Sequence, residues 1–542
     1  MKNKILQNWK SGFTVSLVSI PLSLALAIAS GATPTQGIIT AFWAGLLGAI
    51  LGSSNFNIIG PTGALSGILI SYSLMYGYES LPIIAILSGF LILLCFLLKL
   101  DKYIIFIPRS VVHGFTLGVA FVIGLGQLDN ALGLQDIPKT EFFLQNLWIS
   151  VQHIAEMQWI VLGMFVLGVS FIFFWNKNFS KIPGAIILAF VSIAVMIFLQ
   201  SLNINVSLTT LGDKYPELQS SFFHNIFPVF SWEILLNKHV WILSVATAVI
   251  SILETLLSGQ IADSMTRTKF THSKEVFALA MANIGSGLMG GIPATAALAR
   301  TALNIKSGAN SKISGIISAI FVGIISLFFL TYFKQMPMVV IASILTIVAI
   351  GMVEKRQYIH LIDNQKTAFF LAIFVALLVI VKDPMTGILV GTGIALFIFV
   401  KKVSYGQTEI LIWENGKMIE SVLKDAFIKR KDIHSDLIVY KISGILTYIN
   451  MPAHLKAIEK IKNNKYVILS LRHSFYADID GVDYLKEIVE ILDSNNDHVL
   501  LTGINAELGK FLYRKKFYKE KQKQGYVFHR TSEALDTILK KS

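Results

Sequence analysis

"FNIIGPTGALSGI", residues Phe56 to Ile68, sets a proline and a threonine between two glycines in the middle of an apolar stretch. "GGIPATAALART", Gly290 to Thr301, repeats the device with glycines, a proline, then alanines and threonines. In lipid an unbroken helix is the default, because each unsatisfied backbone group costs several kcal/mol. A break persists only where protein or water covers it. Two matched breaks therefore raise the question of what they serve.

Composition places both in a membrane protein. The 542 residues are 54% hydrophobic and 15% charged, against about 25% charged in soluble domains. The apolar character ends near residue 402, so the expected domains are 1–403 and 408–542. A crossing helix needs about 20 apolar residues. Runs of that order fall near 12–30, 37–53, 82–100, 106–128, 157–175 and 184–202, then near 239–258, 272–290, 312–333, 338–354, 366–381 and 386–402. The broken segments near 57–73 and 290–306 bring the expected crossings to fourteen.

The polar stretch 204–238 divides them seven and seven, into repeats of about 10–203 and 239–403, each with its broken segment third. Seven is odd, so the second half enters from the opposite face. Matched interruptions in an inverted repeat point to the midplane site of a secondary transporter. The fold class expected is an α-helical polytopic membrane protein of fourteen segments in a 7+7 inverted repeat, followed by a small α/β domain.

The net charge of +13 does not signal nucleic acid. Up to Lys402, nineteen basic residues fall on one expected side, at Lys2–Lys10, Lys99–Arg109, Lys177–Lys181, Arg267–Lys274, Arg300–Lys312, Lys355–Lys366 and Lys401–Lys402. Five fall on the other: Lys139, Lys214, Lys238, Lys334 and Lys382. By the positive-inside rule the first group, with both termini, faces the cytoplasm. No cleavable signal is visible in "MKNKILQNWKSGF". The single cysteine, Cys95, excludes an internal disulfide and a thiolate cluster. His113 has no metal partner at ligand spacing. The Gly-Pro-Thr-Gly stretch lacks the lysine of a P-loop. No nucleophile–base constellation emerges, so no enzyme, cofactor or metal is expected.

The breaks themselves suit an anion. Pro61 and Pro293 fit the first turn of a short helix. The N–H groups of Thr62, Gly63 and Ala64, and of Ala294, Thr295 and Ala296, then lack intrahelical acceptors. Two such starts facing one another aim two partial positive charges at a shared point.

Glu254 interrupts the run from Trp241, deep within an apolar span. An unpaired charge there costs at least about 2.5–3.5 kcal/mol. It is open to three readings: a reversible proton carrier, a Na⁺ ligand aided by Ser258 one turn on, or a permanently neutral glutamate bonded to a neighbouring helix. Arg300 is likewise open, as a cytoplasmic-side anchor or as a cation that draws anions inward.

From 437 the tail alternates strand and helix, the mark of a small α/β domain. "AELGKFLYRKKF" reads as a basic helix. Lys510, Arg514, Lys515, Lys516, Lys519, Lys521 and Lys523 suit either an anionic inner leaflet or plain solvation.

These stretches resemble the sulfate-permease (SulP) family of anion transporters. "GFTVSLVSIPLSLALAIASGATPTQGIITAFWAG", "NIIGPTGALSGI" and "FIPRSVVHGFTLGVAFVIGLGQL" are similar to its first, third and fifth segments. "ETLLSGQIADSMTRTKFTHSKEVFALAMANI" and "GGIPATAALARTALNIKSGANSKISGI" are similar to its eighth to eleventh. The resemblance implies core and gate domains, elevator movement and a homodimer. It also implies a cytoplasmic STAS tail able to meet a cytoplasmic protein partner. There "ILSLRHSFYADIDG" keeps Asp478 and Gly481, carries Ser470 for the usual aspartate, and places Asp480 where regulatory relatives carry a phosphorylated hydroxyl.

By the same resemblance Glu254 and Ser258 take the coupling-ion positions, for H⁺ or Na⁺. It also gives Thr62, Ala294, Thr295 and Arg300 anion-binding positions. With the helix-start N–H groups of Gly63, Ala64 and Ala296, and with Ser23, they make up the expected anion-binding set. "PLSLALA" departs from the family's first segment, with Leu22 and Leu26 where polar contacts are usual. The expectation is cation-coupled uptake of a small inorganic anion, sulfate first and bicarbonate next, across the cytoplasmic membrane. A carboxylate or nucleobase permease and a non-transporting scaffold presenting the tail are the alternatives.

Overall fold

The computed structural model describes residues 2–100, 102, 108–135, 137–140, 142–179, 183–202, 208–216, 218, 236–353, 355–404, 409–414, 417–422 and 435–540. Lys181 of the charge count and the expected tail start at 408 lie outside them.

Apart from the shorter helices Leu128–Leu132, Phe143–Gln152, Leu211–Lys214 and Lys355–Asn364, the order helix, helix, strand plus short helix, then four helices occurs twice among the described residues. First come α1 (Lys2–Ala29), α2 (Pro34–Leu51), β1 (Ile59–Gly60) with α3 (Gly63–Tyr76), α4 (Leu81–Leu97), α5 (Arg109–Leu125), α6 (Trp159–Asn178) and α7 (Gly184–Ser201). Then come α8 (Lys238–Thr266), α9 (His272–Leu288), β2 (Thr295–Ala296) with α10 (Leu298–Lys306), α11 (Ile313–Phe333), α12 (Met338–Met352), α13 (Lys366–Val381) and α14 (Pro384–Ser404). Among the described residues nine helical stretches are long and apolar enough to cross a membrane, while α3 and α13 are shorter.

Two bundles sort themselves by packing. α1 and α2 pack on α11, α2 and α4 on α9, and α4 on α8, making the core. α5 packs on α12 and α13, α12 on α6, and α6 on α7, making the gate. Local chemistry sets several ends. Thr33 and Gln36 close a capping box at the start of α2, and Pro34 sits in its first turn. Lys312 Nζ caps the far end of α2, donating to the carbonyls of Ile50 (2.8 Å) and Gly52 (3.3 Å).

The chain divides into two compact units, Met1–Gly393 and Ile394–Ser542, with the division inside α14 rather than at the composition shift near 403. Among the described residues the tail has a six-stranded sheet in the order β4-β3-β5-β6-β7-β8. Its strands are β3 (Glu409–Glu414), β4 (Lys417–Val422), β5 (Leu437–Leu446), β6 (Tyr466–Ala477), β7 (His498–Thr502) and β8 (Val527–Phe528). β3 runs antiparallel to β4 and β5, and β5 to β8 are parallel. Alternate residues of β5 and β6 enter opposite cores, Ile438, Tyr440 and Val467 on one face, Val439 and Ile468 on the other. This is the small α/β domain expected from 437 onward, and it fits a STAS domain. The hairpin of β3 and β4 carries no signal that the sequence reading recognised.

The tail helices are α15 (Met451–Ile458), α16 (Ile479–Asn495), α17 (Ala506–Leu512), α18 (Lys516–Lys523) and α19 (Thr531–Leu539). The expected single basic helix is therefore two, α17 and α18. Four of its seven basic residues have acidic partners. Lys510 pairs with Glu507, Lys515 with Asp483, Lys516 with Glu520, and the buried Lys521 with Asp493. Asp478 and Gly481 have a shared role: Asp478 Oδ1 accepts the Gly481 N–H at 2.6 Å, capping α16. A Cβ at Gly481 would lie 2.1 Å from the Leu446 carbonyl, so the helix start approaches β5 only with glycine there.

One prediction arises in this domain. His454 Nδ1 lies 2.9 Å from Tyr440 Oη, and both residues are buried. Burial lowers the His454 pKa from 6.5 to about 4. The folded value lies below the unfolded one, so the neutral ring's contribution is complete above pH 6.5 and is lost as pH falls towards 4. Hydrogen exchange of β5 and α15 in the full chain, corrected for intrinsic rates, is expected to show about 3 kcal/mol of lost protection across that window. His454→Gln should flatten the dependence.

Candidate functional site

The two breaks meet. β1 and β2 pair antiparallel, Ile59 with Ala296 and Gly60 with Thr295. They cross inside the core, where α8, α3 and α10 converge.

The first break opens a short helix as expected, but Pro61 precedes the N-cap instead of sitting in the first turn. Thr62 is the N-cap residue of α3, so Gly63 and Ala64 open the helix with N–H groups that have no acceptor in the preceding turn. The Thr62 hydroxyl does not cap its own helix; it donates to Glu254 Oε2 at 3.2 Å.

The second break departs from expectation. Pro293 does not begin a helix: α10 starts at Leu298, and 295–296 is extended because it pairs with β1. Its N–H groups are occupied, Ala294 by Asn283 Oδ1 (2.8 Å) and Ala296 by Thr255 Oγ1 (3.1 Å). The Thr295 hydroxyl turns into α8, donating to the Ser251 carbonyl at 2.9 Å and lying 2.9 Å from Thr255 Oγ1. The row of free N–H groups expected at Ala294, Thr295 and Ala296 is thus corrected, since strand pairing and side-chain acceptors use them.

Arg300 belongs to the site's interior. It is 1% exposed, in the first turn of α10, and reaches across to donate to the Pro61 carbonyl and, at 3.5 Å, to Ser23 Oγ. Burial at this depth disposes of the headgroup-anchor reading, because an anchoring arginine keeps its head in water. Glu254 and Arg300 lie within electrostatic reach of one another. Ser258 is not bonded to Glu254. Its hydroxyl sits between Asn57 Oδ1 (3.1 Å) and Thr301 Oγ1 (3.0 Å), and its one proton serves either. Thr62, Glu254, Arg300 and Ser23 therefore gather at one place, with Ser258 one layer below.

Several supporting residues escaped the sequence reading. Glu275, 1% exposed, accepts from the N–H groups of Ser53 (2.8 Å) and Ser54 (2.9 Å) and from Asn57 Nδ2 (2.9 Å). It fixes the chain entering β1. Standing beside Lys274 in the first turn of α9, it reads in sequence as an ordinary helix-end charge. Asn283 and Thr255 hold β2 in the same way and have no sequence signal beyond being polar in apolar runs. A cavity of about 580 Å³ bordered by Gln135, Gln158, Asp213 and Lys214 includes none of these site residues.

Gly60 tests the packing. A Cβ there would lie 2.6 Å from Arg300 Nη1. Gly60→Ala is expected to displace the guanidinium and lower anion uptake roughly 30-fold, the equivalent of about 2 kcal/mol for a charged hydrogen bond. Uptake measured beside the melting temperature checks this, since the strand itself tolerates alanine.

An inverted repeat whose two broken segments cross beside a buried arginine and a half-buried carboxylate defines a membrane transporter fold. The sequence pattern of the sulfate permease family matches residues 5–375, and the chain belongs to that family. It is 30% identical to the putative sulfate transporter YvdB of Bacillus subtilis over 525 residues, covering 96% of this chain and 95% of that one. It is 26% identical to the bicarbonate transporter BicA of Picosynechococcus over 414 residues, covering 73% and 70%. The overall structure of SLC26A9 superposes with a TM-score of 0.83 at 15% identity, covering 100% of this chain and 91% of that one.

Proposed function

We propose that the protein takes up a small inorganic anion, sulfate first and bicarbonate next, across the cytoplasmic membrane, with H⁺ or Na⁺ coupled through Glu254. Both termini lie in the cytoplasm, two copies form a dimer, and the core carries the anion past the gate as an elevator. The observation that carries this reading is Arg300, a buried cation held over the carbonyl that precedes α3.

The electrostatics give the coupling. With the site empty, Arg300 and Glu254 compensate one another. An anion binding to Arg300 and the N–H groups of Gly63 and Ala64 adds negative charge beside the carboxylate. A cation on Glu254 removes that conflict, so each ligand strengthens the other's binding by the same factor. Thr62 joins the two, because its hydroxyl already touches Glu254 at the helix start. The similarity to transporters named for sulfate and for bicarbonate supports the choice of anions.

The test is uptake of labelled sulfate into proteoliposomes with and without imposed pH and Na⁺ gradients, competed by bicarbonate, dicarboxylates and uracil. Sulfate or bicarbonate should be accumulated and one gradient should drive it. Accumulation that ignores both gradients, or strong competition by uracil or dicarboxylates alone, overturns the reading.

A further inference from the structure

All polar side chains of α8 between Ser244 and Ser258 lie on one face. With about 100° of turn per residue, Ser244, Thr247, Ser251, Glu254, Thr255 and Ser258 fall within one narrow arc, and every residue between them is apolar. The stripe has two different halves. On the half towards Thr266 the hydroxyls are engaged, Thr255 with Thr295 and the Ala296 N–H, Ser258 with Asn57 and Thr301. On the half towards Asn237, the hydroxyls of Ser244, Thr247 and Ser251 are fully buried and have no hydrogen-bond partner among the described residues.

Ser11, Ser88 and Thr116 return their hydroxyls to a carbonyl one turn back. Ser19, Ser326, Thr346 and Thr392 are buried hydroxyls without a partner among the described residues, scattered over different helices or far apart. Ser244, Thr247 and Ser251 differ in forming a continuous row on one helix. Buried polar atoms without protein partners take ordered water or an ion. The spacing of three and then four residues stacks them one turn apart, with Glu254 three residues beyond. From Ser244 to Glu254 the distance along the helix axis is about 15 Å.

We propose that this half of α8 borders a single file of water that leads from its Asn237 end to Glu254, the route by which a proton or small monovalent cation reaches the carboxylate. The proposal rests on the coupling role of Glu254 and the orientation given above, which place the entrance on the outer side. The satisfied hydroxyls of Thr255 and Ser258 close the file below Glu254, so the two sides of the membrane are not joined through α8.

The test uses silver ion, a thiol-reactive probe small enough for a water file, on the membrane-embedded chain in a Cys95→Ala background. Ag⁺ added outside should react with Ser244→Cys, Thr247→Cys and Ser251→Cys. Ala246→Cys and Leu253→Cys, buried on the opposite face, serve as controls. A dry buried thiol reacts only through local opening, so the stripe should react roughly tenfold or more faster than the controls. Equal rates overturn the proposal.

Thr247→Val is the second arm, needing no cysteine. It should slow gradient-driven uptake about tenfold without lowering the melting temperature, because the hydroxyl removed has no partner among the described residues and valine cannot bond water. Unchanged uptake counts against the file. Silver accessibility is read without any transport, so it can fail while the coupling role of Glu254 stands, and it can succeed if that role fails.

Discussion

Arg300→Lys is expected to lower sulfate uptake in proteoliposomes by about a hundredfold while leaving the protein folded. The argument is geometric. The guanidinium donates to the Pro61 carbonyl and to Ser23 Oγ at once, a divergent pair of bonds that a planar fork can make. A lysine ammonium keeps the charge but sits lower on a shorter arm and presents no fork. If the charge alone drew the anion, Arg300→Lys would retain much of the activity and only Arg300→Met would be inactive. If the fork positions the anion against α3, both fail, and the loss corresponds to about 2.7 kcal/mol, two tenfold steps. Equilibrium binding of labelled sulfate, measured with the melting temperature of each variant, separates the two cases.

Glu254→Gln should have the second-largest effect, and of a different kind. The amide can still accept the Thr62 hydroxyl bond, so the start of α3 keeps its partner. It cannot take up a proton, and it offers Na⁺ a neutral oxygen without the compensating charge. Accumulation driven by a cation gradient is expected to vanish, while exchange of internal for external sulfate continues. Counterflow measured beside net uptake makes the distinction. Gradient-driven accumulation that survives Glu254→Gln places the coupling ion elsewhere.

The sequence showed which segments cross and where they break, because apolar run length and a proline among glycines are local signals. It singled out Glu254 by its isolation in an apolar run, whereas Arg300 stayed open between anchor and anion-drawing cation until the family resemblance put it in the anion-binding set. It misjudged the second break for a reason of the same locality. Pro293 looks like a helix start until Ile59 and Gly60 are laid beside Thr295 and Ala296, and no local pattern announces a two-residue ladder between distant segments. Glu275 was hidden by its neighbour Lys274, since a charge pair near a helix end is what an interface normally shows. The tail's basic residues were legible, but their partners Asp483 and Asp493 lie on α16, distant in sequence.

The ladder between Ile59–Gly60 and Thr295–Ala296 has a bearing on biogenesis. The first half of the chain leaves the ribosome with an extended dipeptide that its own seven helices do not pair. That pairing becomes possible only once Thr295–Ala296 has been made, so the two halves complete one another's backbone at the point where each is broken.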